Sequence, residues 1–199
     1  LCEKCAVRTI AYNRYYEANI PIEYWHLSMD KHFKGSKTLL EKFQTLTNDL
    51  GNTYKQGSSI CFAGPHGVGK SFTSCSILKK ACLKNYNCLY TTLSDMISAL
   101  TNNDERHIAR KELNICDFLV IDELDFRFMK TASAADFFGI SLENVFRNRS
   151  QNKLPTIMCS NSPNPLEAFN GEIKQSIESI MAKVEIVSIF GNDFRKEGK

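Results

Sequence analysis

The sequence predicts an α/β fold, a three-layer arrangement with a mainly parallel sheet between helices. Three observations carry this expectation. Short apolar runs that read as strands alternate with helical patterns along the chain. The run from Asp117 to Glu123 is apolar without a break until it ends in two carboxylates, the composition of a parallel strand buried on both faces. Finally, Gly64-Pro65-His66-Gly67-Val68-Gly69-Lys70-Ser71 fits G-x-x-x-x-G-K-[ST], a loop that joins a strand to a helix and cradles phosphate.

The 199 residues suit one medium domain with a short appendage, and they can bury a sizeable core. With 43% hydrophobic and 24% charged residues, the composition is that of an ordinary soluble globular protein. A net charge of +3 gives only weak support for an acidic partner such as DNA. No apolar run is long enough to span a membrane and no secretory signal opens the chain, so a cytoplasmic protein without a membrane partner is expected. The first residue is Leu, which reads as a start inside a longer protein. Of eight cysteines, Cys61, Cys75, Cys82, Cys88, Cys116 and Cys159 sit inside apolar patterns and read as reduced core thiols, not as a disulfide framework.

In chain order, Cys2-Glu3-Lys4-Cys5 offers two zinc ligands where a structural site needs four. The pair is either half of a zinc module or two ordinary thiols. Arg14 to Trp25 interleaves aromatics with a cation. These rings can stack on bases or clamp an N-terminal arm, residues 1–27, onto the domain at 28–199, and Pro21 stops any helix near Asn19 or Ile20. From Ser36 to Tyr54, Leu39, Leu40, Phe43, Leu46, Leu50 and Tyr54 recur at helical spacing and predict one amphipathic helix. Strands are expected at 58–63, 88–92, 117–123, 156–161 and 184–189. Helices are expected at 72–84, from a cap at Ser94, at 104–113 as a solvated face, and at 134–148 with Phe137, Phe138, Leu142, Val145 and Phe146 turned inward. Two short ones follow at 165–169 and 172–181.

The motif residues imply a chemistry. Glycines let loop N–H groups converge on phosphate oxygens, and the helix N-terminus adds partial positive charge. The nucleotide-binding set is Gly64, Pro65, His66, Gly67, Val68, Gly69, Lys70, Ser71 and Phe72. Lys70 can reach the β- and γ-phosphates, and Ser71 and Asp122 can hold Mg²⁺. Glu123 is placed to act as general base on the attacking water, and Asn161, ending another strand, to orient that water or sense the γ-phosphate. Ligands bind at the carboxyl ends of strands in such sheets, so three strands ending in these groups form one constellation.

The order GPHGVGKS (64–71), FLVIDELD (118–125), FRNRSQNKLPTIMCSN (146–161) and GNDFR (191–195) resembles the AAA+ ATPases of the DnaC-type helicase loaders, and the IstB-type transposition helpers are similar too. RYYEANIPIEYW (14–25) resembles the stretch before the ATPase core of phage-type loaders, which often carry a cysteine-rich zinc module. The resemblance implies a P-loop AAA+ ATPase core with a five-stranded sheet in the order 5-1-4-3-2 and a lid reduced or absent. It also implies ATP and Mg²⁺ as ligands and ATP-dependent self-assembly with single-stranded DNA and a replicative hexameric helicase as partners. Zn²⁺ at Cys2 and Cys5 would belong to the same arrangement. By the same resemblance Arg195 matches the sensor 2 arginine. The family's arginine finger has no counterpart, because Ile180 stands at its position; Arg149 and Arg147 are the nearest substitutes.

Overall fold

The computed structural model describes residues 2–102, 104–124, 132–163, 165, 171–191 and 193. Strand composition sorts the strands into centre and edge. Every residue of β1 (Ile60–Ala63), β3 (Phe118–Asp122) and β4 (Thr156–Ser160) is buried. In β2 (Cys88–Thr92) burial is partial after the first residue, and in β5 (Glu185–Ser188) only Val187 is buried. The sheet among the described residues follows accordingly: order β2-β3-β4-β1-β5, with every neighbouring pair parallel. This is the strand order that the resemblance implies.

Alternation along the strands divides the core into two layers. Ile60, Phe62, Phe118, Val120, Ile157 and Cys159 pack with Leu39 and Phe43 of α3 (Lys37–Asn48) and Ile77 and Leu78 of α5 (Lys70–Leu83). Cys61, Leu119, Ile121 and Met158 pack on the other side with α6 (Leu93–Thr101), α7 (Arg106–Ile115), α8 (Ala132–Gln151) and α9 (Gly171–Met181). Leu142, Val145 and Phe146 supply the buried face of α8; Phe137 and Phe138 lie outside the described side chains. All six cysteines in apolar patterns are buried thiols.

Two local expectations are corrected. The single helix expected over 36–54 is two, α3 and α4 (Leu50–Gln56), because Asp49 leaves helical geometry and accepts the Asn52 N–H on its side chain at 2.9 Å. An acceptor placed there starts a new helix in place of continuing the old one. The cap of α6 is Thr92, which accepts from the Asp95 N–H, while Ser94 lies inside the helix. Other boundaries move by a few residues, as helix ends commonly do. The helix expected at 165–169 falls outside the described residues except for its first position.

The N-terminal arm packs on the sheet's α5 side. Its helix α1 (Glu3–Glu17) contacts α5, and Tyr15, Ala18 and Ile20 join the core cluster. The Tyr90 N–H on β2 donates to the Ala18 carbonyl at 2.8 Å, so the arm covers part of an otherwise bare strand edge. Pro21 caps a short 3-10 turn, Ile22–Tyr24, and the Trp25 indole N–H donates to Ile20 at 2.8 Å. From α5, the buried Lys79 ammonium donates to the carbonyls of Tyr24, at 2.6 Å, and Leu27. Burial holds its pKa below the usual lysine value.

Candidate functional site

The phosphate-loop sequence turns the chain from β1 into α5 within six residues. Gly67 and Gly69 have φ of +78° and +96°, a region that side chains disfavour. A Cβ at Gly69 would also come within 2.9 Å of the Phe33 ring. Val68 is wholly buried and pins the loop to the core, whereas Pro65 and His66 are exposed. Gly69 is the N-cap of α5 and places no side chain over the first turn, the end of a helix that attracts anions. The Lys70 ammonium, 5% exposed, donates to the carbonyls of Gly64 (2.8 Å) and Pro65 (2.6 Å), which holds it across the loop.

Asp122 ends β3 with 4% exposure. Its Oδ1 accepts from the Glu123 N–H and its Oδ2 from the Tyr90 hydroxyl, each at 2.8 Å. Burial first, and then the charge of Asp122, push the Tyr90 phenol far above its ordinary value, so it stays a proton donor. Glu123 has φ +51°, a conformation that costs a non-glycine residue about 1 kcal/mol or more and concentrates at functional positions. That twist turns an exposed carboxylate towards the same opening.

One pocket, of about 610 Å³, gathers most of the expected site: His66, Gly67, Gly69, Lys70, Ser71, Phe72, Asp122, Glu123 and Asn161 all line it. Gly64, Pro65 and Val68 shape the loop without lining that space. The Ser71 hydroxyl and the Asp122 carboxylate are hard oxygen donors beside a lysine and fit Mg²⁺, which would polarise a bound phosphate. Sequence reasoning missed the opposite wall. Glu23, Tyr24, Leu27, His32, Phe33, Lys34 and Gly35 line the pocket from the arm side, across the boundary expected at 27/28. Phe33 and Tyr24 pack on Phe72, with ring centroids 5.7 and 6.3 Å away. The interleaved aromatics at 14–25 were a visible signal, but nothing in their spacing relates them to a loop some forty residues later. Tyr90 was also missed, and β-strand alternation alone does not reveal it.

Other candidates lie elsewhere. Arg149 is corrected: it is 1% exposed, and its guanidinium donates to Thr156 Oγ1 (2.9 Å), Leu113 O (2.7 Å), Cys116 O (3.0 Å) and Pro155 O (2.7 Å). A fork turned into the core and occupied by these acceptors cannot reach a neighbouring subunit's phosphate. Arg147 donates to Glu143 at 2.6 Å and to Ser176 at 2.7 Å along the α8–α9 seam; the Ser176 hydroxyl, which donates to Glu143 at 2.6 Å, and then Arg147 hold the Glu143 carboxyl below its usual range. Ile180 lines a separate cavity of about 240 Å³. Arg195 lies outside the described residues. Cys2 caps α1, its sulfur 3.1 Å from that of Cys5, and among the described residues no group of three or more His, Cys, Asp or Glu could hold a metal.

The profile of the IstB-like ATP binding proteins matches residues 42–199, well over half of the chain. The chain belongs to that family. Comparison with curated proteins gives no match. Among solved structures, this IstB-like chain is similar to the DnaC helicase loader, at 16% identity and a TM-score of 0.66 over 85% of this chain and 100% of that one. It is similar to DnaI at 16% identity and a TM-score of 0.67, over 87% and 93%. It is also similar to the replication initiator DnaA bound to AMPPCP and single-stranded DNA, at 17% identity and a TM-score of 0.67 over 87% of this chain. The chain spans about half the length of the replication initiator structures that it matches, 49% and 51%. At these identities the likeness is one of fold, and the fold is the P-loop AAA+ ATPase core.

Proposed function

We propose that this IstB-like protein binds ATP with Mg²⁺, hydrolyses it slowly, and loads a replicative hexameric helicase in the cytoplasm through an ATP-switched homo-oligomer on single-stranded DNA. The observation that carries the reading is the convergence of the phosphate loop after β1, Asp122-Glu123 after β3 and Asn161 after β4 on one pocket. In it, loop N–H groups and Lys70 hold the phosphates, and Ser71 and Asp122 hold the cation. Glu123 takes the proton of the attacking water, Asn161 orients that water, and Arg195 contacts the γ-phosphate from the same subunit. Tyr24, Phe33 and Phe72 offer flat apolar surfaces for the base. The arm, 1–27, whose Cys2 and Cys5 are either half of a Zn²⁺ module or two ordinary thiols, joins the ATPase domain, 28–199. Among the described residues no helix is long and apolar enough to cross a membrane.

The burial of Arg149 removes one substitute finger and supports slow turnover. The family profile favours a second reading, an ATPase that assembles on duplex DNA and regulates transposition. Two measurements separate these. The loader reading expects ATP-dependent, salt-sensitive binding to single strands and ATP-dependent capture of helicase. Preference for duplex at equal salt, with no helicase captured, selects the transposition reading. Capture and DNA binding without any phosphate release leave a non-hydrolysing scaffold.

A further inference from the structure

Asp122 is the group through which the site reaches its cation, and a buried carboxylate has to be held in one orientation to do so. The loop and strand motifs do not supply both of its partners. One is the Glu123 N–H, built into the chain. The other comes from a different strand. β2 and β3 pair with Tyr90 opposite Val120 and Thr92 opposite Asp122. Tyr90 and Asp122 are thus diagonal neighbours on one face of the sheet, a span that a long side chain can bridge. The phenol spans it and donates to Oδ2 at 2.8 Å, and Tyr90 itself lines the pocket. Its main chain is tied on both sides, to β3 through the ladder and to the arm through Ala18.

We propose that Tyr90 is a positioning residue for the metal-binding carboxylate: its hydroxyl orients Asp122 towards the Mg²⁺ of the bound nucleotide. The inference rests on the ATP·Mg²⁺ reading above. Outer-shell donors to a metal-binding carboxylate commonly contribute a factor of 10–100 in metal affinity. A phenylalanine keeps the ring and its packing but cannot donate.

The test is a calorimetric titration of the whole chain with ATP, across a Mg²⁺ series and in EDTA, for the parent, Tyr90→Phe and Tyr90→Ala. Tyr90→Phe is expected to raise the Mg²⁺ concentration at half-effect about tenfold or more, as far as Tyr90→Ala does. ATP affinity in EDTA stays at the parent value, and the melting temperature of Tyr90→Phe falls by no more than a few degrees, so the chain remains folded at the temperature of the titration. Tyr86→Phe, whose ring packs on Tyr54 and Phe118 instead, leaves the Mg²⁺ midpoint unchanged. A Tyr90→Phe midpoint equal to or below the parent's overturns the inference, as does an equal loss of ATP affinity with and without Mg²⁺. If the parent itself binds no ATP, the nucleotide reading falls and this inference with it.

Discussion

Replacing Arg149 with Ala distinguishes a core residue from an arginine finger. The substitution removes a guanidinium that is 1% exposed and that donates to the carbonyls of Leu113 and Cys116 at the end of α7 and to Pro155 and Thr156 at the start of β4. The Pro155 carbonyl keeps a second donor, the Leu119 N–H at 3.2 Å. The Leu113 and Cys116 carbonyls lose a charged donor each, at about 1.5–3 kcal/mol apiece, and a cavity opens where the side chain lay. Relief of the buried charge offsets part of this, which leaves a net loss of about 3–5 kcal/mol. For a chain of this size each kcal/mol moves the melting temperature by about 2–4 °C, so a fall of roughly 6–20 °C is expected. Thermal melting by circular dichroism reads the fall, and calorimetry below the new transition reads ATP affinity, which stays at the parent value. An unchanged melting temperature together with loss of assembly-stimulated turnover would refute the reasoning and restore Arg149 as a finger.

Three further outcomes are expected. Lys70→Ala abolishes ATP binding, since the cation held across the phosphate loop is lost; an unchanged calorimetric affinity counts against the nucleotide site. Glu123→Gln keeps ATP and Mg²⁺ binding but slows phosphate release by about a hundredfold or more, and turnover at the parent rate rules Glu123 out as base. Burial pushes the Cys61 thiol from 9.0 to about 12, and Tyr24 and Tyr90 are raised as well. A group raised on folding stabilises fully below its unfolded pKa and loses that contribution as pH climbs to the folded one. Stability to urea should therefore show a net decline between about pH 9 and 12, with the depressed Lys79 offsetting part of it below about 10.5; a net rise across that interval contradicts the burial of these thiols and phenols.

The parts of the fold that the sequence reveals are those governed by local rules. Short runs with apolar centres mark β1, β3 and β4, because strands covered on both faces disfavour polar residues away from their ends, and the glycine pattern marks the turn into α5. The break at Asp49 was legible in principle, since an acidic residue before Leu-Gly is a capping signal, but the helical period of the flanking leucines masked it. In the site, Lys70, Ser71, Asp122, Glu123 and Asn161 were visible because each ends or follows a strand in a fixed pattern. Tyr90 and Phe33 were not, because their contribution depends on register between strands and on where the arm lies. The interior position of Arg149 was hidden for a related reason. One of two arginines in a polar stretch reads as surface, and only the convergence of α7 and β4 on it creates acceptors enough to bury it.

The arm's attachment to α5 bears on how this protein is cut. The family profile begins at residue 42, yet the Lys79 ammonium ends on the carbonyls of Tyr24 and Leu27, and the β2 edge ends on Ala18. A fragment trimmed to the profile would strip the acceptors from a buried lysine, bare one edge of the sheet, and remove the Tyr24 and Phe33 wall of the pocket. The unit recognised by homology and the unit that packs together are therefore of different lengths. A fragment that keeps these contacts has to start at or before Ala18, on the far side of the border that sequence comparison draws.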